Sequence, residues 1–146
     1  MVRMDKSAGV DASDDSRDIA TDGMKATAGN EQATSGNEGP AKNVLDGDDG
    51  TIWHTSWGGT AQTNQWIDIA LKEPTTVAGL RMLPRSSGNN GVITEAEIWV
   101  KTKDNKDYQK VKDAAFGTKG WQAIDFDAVE DVTNVKIQPT KTIGDA

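Results

Sequence analysis

An all-β fold, built as an antiparallel β-sandwich, is what the sequence predicts from about residue 24 onward. Three observations carry that expectation. Short runs alternate apolar and polar side chains with a period of two. Clusters of Gly, Pro, Asn and Asp bound each run, and no stretch of ten or more residues carries a stripe at helical spacing. Alternation of this kind buries one face of each strand and leaves the other wet.

The elements follow in chain order. Residues 1–23, MVRMDKSAGVDASDDSRDIATDG, hold six aspartates and three basic residues with almost no bulky apolar side chains. Such a segment buries too little to offset its ordering entropy, so it reads as a disordered linker or tail ahead of a domain spanning 24–146. In QWIDIAL (65–71), Ile67, Ile69 and Leu71 share one face, with Trp66 and Asp68 on the other. TVAGLRMLP (76–84) offers Val77, Leu80, Met82 and Leu83. TEAEIWVKT (94–102) sends Ala96, Ile98 and Val100 one way, and Glu95, Glu97, Trp99 and Lys101 the other. DYQKVKD, WQAIDFD and VTNVKIQ continue the style, with Phe126, Val135 and Ile137 as core candidates. Between the runs lie KEPTT, SSGNNG, KDNKD, GTKG and AVEDV, all with turn chemistry. Trp66, Trp99 and Trp121 read as core or edge packing, and Tyr108 has no role visible in the sequence.

Composition narrows the function. The 146 residues carry 16 Lys+Arg against 23 Asp+Glu, a net charge of −7. A nucleic-acid binder needs a basic face, and docking on anionic lipid needs a polybasic segment. Neither is present. No cysteine is available for a disulfide, a thiolate metal site or a nucleophile. No apolar run reaches membrane-spanning length, and no signal peptide opens the chain, so a secreted parent would contribute this sequence as an internal piece.

Three motifs carry chemistry. In KNVLDGDDGT, Asp46, Asp48 and Asp49 crowd around Gly47 and Gly50, an oxygen-rich loop suited to a hard cation such as calcium. The spacing is not that of an EF-hand, and a solvated Asp-Gly turn explains the same residues. IWHTSW places the one histidine, His54, between Trp53 and Trp57. Buried aromatic packing is the plain reading. Alternation also allows Trp53 to point inward and His54 outward, with Trp57 beside it, the chemistry of sugar recognition: an indole stacks on a pyranose face while an imidazole bonds a hydroxyl. In LPRSSGNNG, Arg85, Asn89 and Asn90 follow a strand. Their guanidinium and amides suit vicinal hydroxyls, although an ordinary turn with a surface arginine accounts for them equally.

Taken together, GNEGPAKNVLDGDDGTIWHTSW, QWIDIAL, VAGLRMLPR and NNGVITEAEIWV resemble the family 32 carbohydrate-binding modules of bacterial extracellular glycosidases. These modules belong to the discoidin, or coagulation factor V/VIII C-type, group. The resemblance runs from about Met24 to Ala146. It implies a discoidin-like jelly-roll sandwich, a sugar site in the loops at one end, and a structural calcium nearby. Carried over by position, the sugar contacts would be Glu38, His54, Trp57, Arg85 and Asn90, with Asn89 added from its own motif. The calcium would be held by Asn43 and Asp48 through backbone oxygens, Asp46 through its carboxylate, and Thr51 through hydroxyl and carbonyl. The resemblance also implies a final strand bearing an aromatic residue and a metal-binding glutamate, whereas this sequence ends at TIGDA. The expectation is therefore a sandwich without that strand, with a neighbour left unpaired and calcium held more weakly.

The function so implied is non-catalytic: an extracellular module, monomeric, that holds an attached glycosidase near galactose- or N-acetylgalactosamine-type glycans. The alternative is a discoidin-like adhesion or membrane-binding module. Its candidate loops, TSWGGTAQTN and SSGNNG, contain one bulky apolar residue and no lysine, which argues against insertion. A small glycosidase would need paired carboxylates flanking a scissile bond. Glu95 and Glu97 instead lie on the wet face of a strand pattern.

Overall fold

The computed structural model describes residues 1–7, 12, 14–32, 37–55, 65–86, 88 and 91–143, and at Glu38 the backbone. Eight strands follow in order: β1 (Val2–Asp5), β2 (Lys25–Ala28), β3 (Glu38–Gly39), β4 (Ile52–Trp53), β5 (Ile67–Met82), β6 (Ile93–Thr102), β7 (Asn105–Ala115) and β8 (Gln122–Thr142). A 3-10 turn, Ala41–Leu45, lies between β3 and β4.

The sandwich is made by two long strands that run through both of its layers. The first half of β5 pairs β8 from Ile67↔Ile137 to Ala70↔Asn134, and its second half pairs β8 from Gly79↔Asp125 to Met82↔Gln122. In the first layer, β2 flanks β5, while β6 and then β7 extend the sheet beyond β8. In the second, β1 lies along β5, from Val2↔Met82 to Asp5↔Gly79. Side chains from both layers meet in one core: Ile67, Ile69, Ile98, Val100, Val135 and Ile137 from the first, with Met4, Leu80, Met82 and Phe126 from the second.

Two expected turns prove to be bends within these strands. KEPTT lies inside β5 and AVEDV inside β8, where the pairing register shifts between Ala70 and Val77. Pro74 lacks the N–H that a continuous ladder needs, and the shifted register accommodates it. Asp131 takes a positive φ of 57°, the left-handed conformation that often accompanies an irregular strand.

The N-terminal segment also departs from expectation. Val2–Asp5 is a strand, with Met4 fully buried against Leu80 on β5. Ile19 donates its N–H to the Met4 carbonyl at 2.8 Å, and Lys6 donates to Arg17 at 2.9 Å, so residues 17–19 bind back onto β1. Four residues with two inward apolar side chains are too short to stand out by alternation, and the acidic run after them masks the signal. The backbone of β5 from Gly79 to Met82 is paired by this strand.

Candidate carbohydrate site at the loop end

The segment bearing the histidine is fixed mainly by backbone bonds. β3 and β4 form a short parallel pair, Glu38↔Ile52 and Gly39↔Trp53. His54 then donates its N–H to the Gly39 carbonyl at 3.1 Å and accepts from the Gln32 N–H at 2.8 Å. Asn43, buried in the 3-10 turn, donates its amide to the Ile52 carbonyl at 3.1 Å. Trp53 packs against the core and donates its indole N–H to the Asn30 carbonyl at 2.9 Å. The inward direction expected for Trp53 is therefore what the strand adopts.

His54 is more enclosed than the sequence implied, with 8% of its surface exposed. Its Nδ1 lies 2.7 Å from the Thr55 carbonyl. A carbonyl can only accept, so Nδ1 carries the proton of that bond, and in the neutral tautomer it selects, Nε2 holds the lone pair. The ring is thus oriented by its own backbone.

Arg85 stands just beyond β5, half-buried, with its guanidinium folded beside Gly88, whose φ is +75°. His54 and Arg85 line one cavity of about 100 Å3, together with Trp53, Thr55, Gln65 and Pro84. Its apolar lining comes from both layers, including Val2, Ile67 and Ile137. Trp57, Asn89 and Asn90 lie outside the described residues, as does the side chain of Glu38.

The acidic loop adjoins this site in sequence through β4. Asp46 accepts from the Asp48 N–H at 2.9 Å through Oδ1 and from the Thr51 hydroxyl at 2.6 Å through Oδ2. The same hydroxyl lies 3.1 Å from the Asp48 carbonyl. The Asp48 carboxylate turns away to accept from the Gly50 N–H at 2.8 Å, and Gly47 takes the left-handed φ of +76° that the tight curl requires. Among the described residues no three His, Cys, Asp or Glu side chains converge to hold an ion. The oxygens gathered here are the Asp46 carboxylate, the Thr51 hydroxyl and the Asp48 carbonyl, hard donors of the kind calcium takes. No sequence signal pointed to the buried charge of Arg81 or to the hydrogen bond that Tyr108 donates to Asp68.

Comparison with known proteins agrees with this architecture. The F5/8 type C domain family matches residues 25–146. Among curated proteins, an A type blood N-acetyl-alpha-D-galactosamine deacetylase from Flavonifractor plautii is 36% identical over 107 residues, 73% of this chain and 13% of that protein. A galactose oxidase from Gibberella zeae is 38% identical over 73 residues, 48% of this chain and 10% of that protein. The chain therefore spans about a tenth of the length of these relatives. Among solved structures, the fifth family 32 module of a Clostridium perfringens family 89 glycoside hydrolase, in complex with GalNAc-beta-1,3-galactose, superposes with a TM-score of 0.79. It is 30% identical, over 86% of this chain and 89% of that one. The family 32 module of C. perfringens NanJ, in complex with galactose, gives a TM-score of 0.74 at 28% identity, over 86% and 88% of the two chains. The chain belongs to the F5/8 type C domain family, among its family 32 carbohydrate-binding modules, and is itself non-catalytic.

Proposed function

We propose that this module binds galactose- or N-acetylgalactosamine-type sugars at the loop end and holds an attached, extracellular glycosidase near such glycans. The observation that carries the reading is the convergence of His54 and Arg85 on one cavity. His54 Nε2 accepts a sugar hydroxyl proton, its tautomer set by the Thr55 carbonyl, and Arg85 donates to neighbouring hydroxyls. Trp57 stacks beneath the ring, and Glu38, Asn89 and Asn90 bond further hydroxyls. Relatives that bind galactose and GalNAc-beta-1,3-galactose support the choice of sugar. With few groups desolvated, binding is weak, and avidity on a glycan-rich surface compensates.

Calcium belongs to the same proposal. Asn43 and Asp48 would hold it through backbone oxygens, Asp46 through its carboxylate and Thr51 through hydroxyl and carbonyl. The ion would brace the turn that carries β4 and His54.

Calorimetric titration of galactose and N-acetylgalactosamine into wild type, His54→Ala and Arg85→Ala tests the assignment. Binding by wild type and a loss of about tenfold or more in each variant is expected, because each removes a polar partner from a shallow site. Equal binding by all three would remove it.

A further inference from the structure

The first layer has an outer face that the loop-end site leaves unused. Inward residues on β6 and β8 are Ile98, Val100, Val135 and Ile137, so Trp99, Lys101, Asn134 and Lys136 point the other way. Cross-strand register sets Trp99 opposite Lys136, Lys136 opposite Asp68, and Lys101 opposite Asn134. Tyr108, from β7, reaches over this face to donate its hydroxyl to Asp68. Lys136 Nζ lies 4.8 Å from the Tyr108 ring centroid and 5.9 Å from that of Trp99. Lys101 Nζ lies 5.4 Å from the Tyr108 ring.

The lysines of this face differ in their partners. In a chain of net charge −7, Lys72, Lys103 and Lys110 each lie within 3.7 Å of a carboxylate. Lys110, opposite Trp99, is held by Asp113 at 3.2 Å and Glu97 at 3.6 Å. Lys101 and Lys136 form no ion pair among the described residues; aromatic rings flank them instead. Asp68, next to Lys136 across the ladder, has its oxygens occupied by the Tyr108 hydroxyl and by the Asn134 amide at 2.9 Å. Two ammonium groups thus flank the Tyr108 ring on one sheet face, without a salt bridge among the described residues and with the Trp99 indole and the Asp68 carboxylate beside Lys136.

We propose that this face is a second binding site, for an anionic saccharide. Lys101 and Lys136 receive the carboxylate or sulfate group, and the indole of Trp99 packs against the hydrocarbon face of the sugar ring. At moderate salt, screening confines electrostatics to about 10 Å, so the two lysines are set against nearby Asp68 and Glu97 and not against the whole acidic surplus. The ring contacts hold both stems in place, which lowers the ordering cost of binding.

Native affinity electrophoresis at about 0.1 M ionic strength tests the proposal. Gels carrying polygalacturonate, chondroitin sulfate or uncharged galactomannan are compared for wild type, Lys101→Gln/Lys136→Gln and His54→Ala. Retardation of wild type by at least one polyanion is expected, weakened about fivefold or more in the double variant and kept in His54→Ala, and falling with added salt. Retardation by polygalacturonate shows that a carboxylate suffices; retardation by chondroitin sulfate alone, which carries both groups, shows that sulfate is needed. The double variant should keep its circular dichroism and its galactose titration, which separates this site from the loop end. No retardation by either polyanion, or equal retardation of wild type and double variant, overturns the proposal.

Discussion

Arg81 grips Asp18 through two parallel hydrogen bonds, Nε to Oδ1 at 3.0 Å and Nη2 to Oδ2 at 2.6 Å. Its carbon Cζ lies 4.3 Å from the Trp121 ring centroid, and only 2% of the residue is exposed. The same guanidinium donates to the Ala12 carbonyl at 2.9 Å and lies 3.8 Å from Asp5. One side chain on β5 thereby ties β1 and the segment after it to the second layer.

Replacing Arg81 with Met should therefore cost about 3–5 kcal/mol, because half-buried Asp18 loses both of these hydrogen bonds and buried Asp5 is left with Arg17, at 3.6 Å. Arg81→Lys should recover only part of the loss, since an ammonium cannot reproduce the two-point fork. Urea denaturation of the three proteins measures both effects.

Acid should strengthen this region. Burial pushes the Asp5 carboxyl up from 3.8 to about 7, with the Asp18 carboxylate adding to the rise and Arg17 opposing it. Arg81, 3.8 Å away, also opposes it, and Asp125 bears on the cluster through Arg17 at 3.7 Å. Between pH 4 and 7 the folded chain holds a proton that the unfolded chain has released, so stability falls as pH rises through this window. Asp5→Asn, which mimics the protonated form, should match wild type below about pH 4 and exceed it by a growing margin up to about pH 7 in thermal melts.

Met4→Ala should destabilise the domain by about 2–5 kcal/mol, the cost of a cavity in a packed core. The residue is fully buried, so its loss is felt only if β1 is docked. An unchanged denaturation midpoint would mean that the first strand contributes nothing to the domain.

Gly79 sits between two backbones, opposite Asp5 on β1 and Asp125 on β8. A Cβ there would come within 2.6 Å of the Ile124 carbonyl oxygen and 2.9 Å of Asp125 Oδ1. Gly79→Ala should cost about 1–3 kcal/mol through forced separation of the strands. Chemical denaturation measures it, with Gly120→Ala, where a Cβ meets open space but φ is +70°, reporting backbone strain alone.

Tyr108→Phe should cost about 1–3 kcal/mol by depriving the buried Asp68 carboxylate of a donor. Comparing it with Tyr108→Phe/Asp68→Asn in a double-mutant cycle isolates the bond from the packing of the ring.

The layers were legible because period-two alternation reports burial directly: Ala96, Ile98 and Val100 face the core as read, as do Ile67, Ile69, Phe126, Val135 and Ile137. Continuity was not legible. A proline or an acidic cluster looks the same in a turn and in a bulge, so KEPTT and AVEDV were read as the ends of strands that in fact run on. β1 was missed because it is four residues long and docks through pairing with β5 more than 70 residues away. At the loop end, the motifs brought His54 and Arg85 to one cavity, while the enclosure of the imidazole depends on backbone bonds from Gln32 and Gly39 that no local pattern encodes.

The passage of β5 and β8 through both layers has a mechanical consequence. Neither layer can peel from the core without dragging the other, since they are lengths of the same two ribbons. Amide exchange in these strands should therefore show one shared opening event, and a pull exerted through a captured glycan would be distributed over the whole domain instead of tearing out one edge.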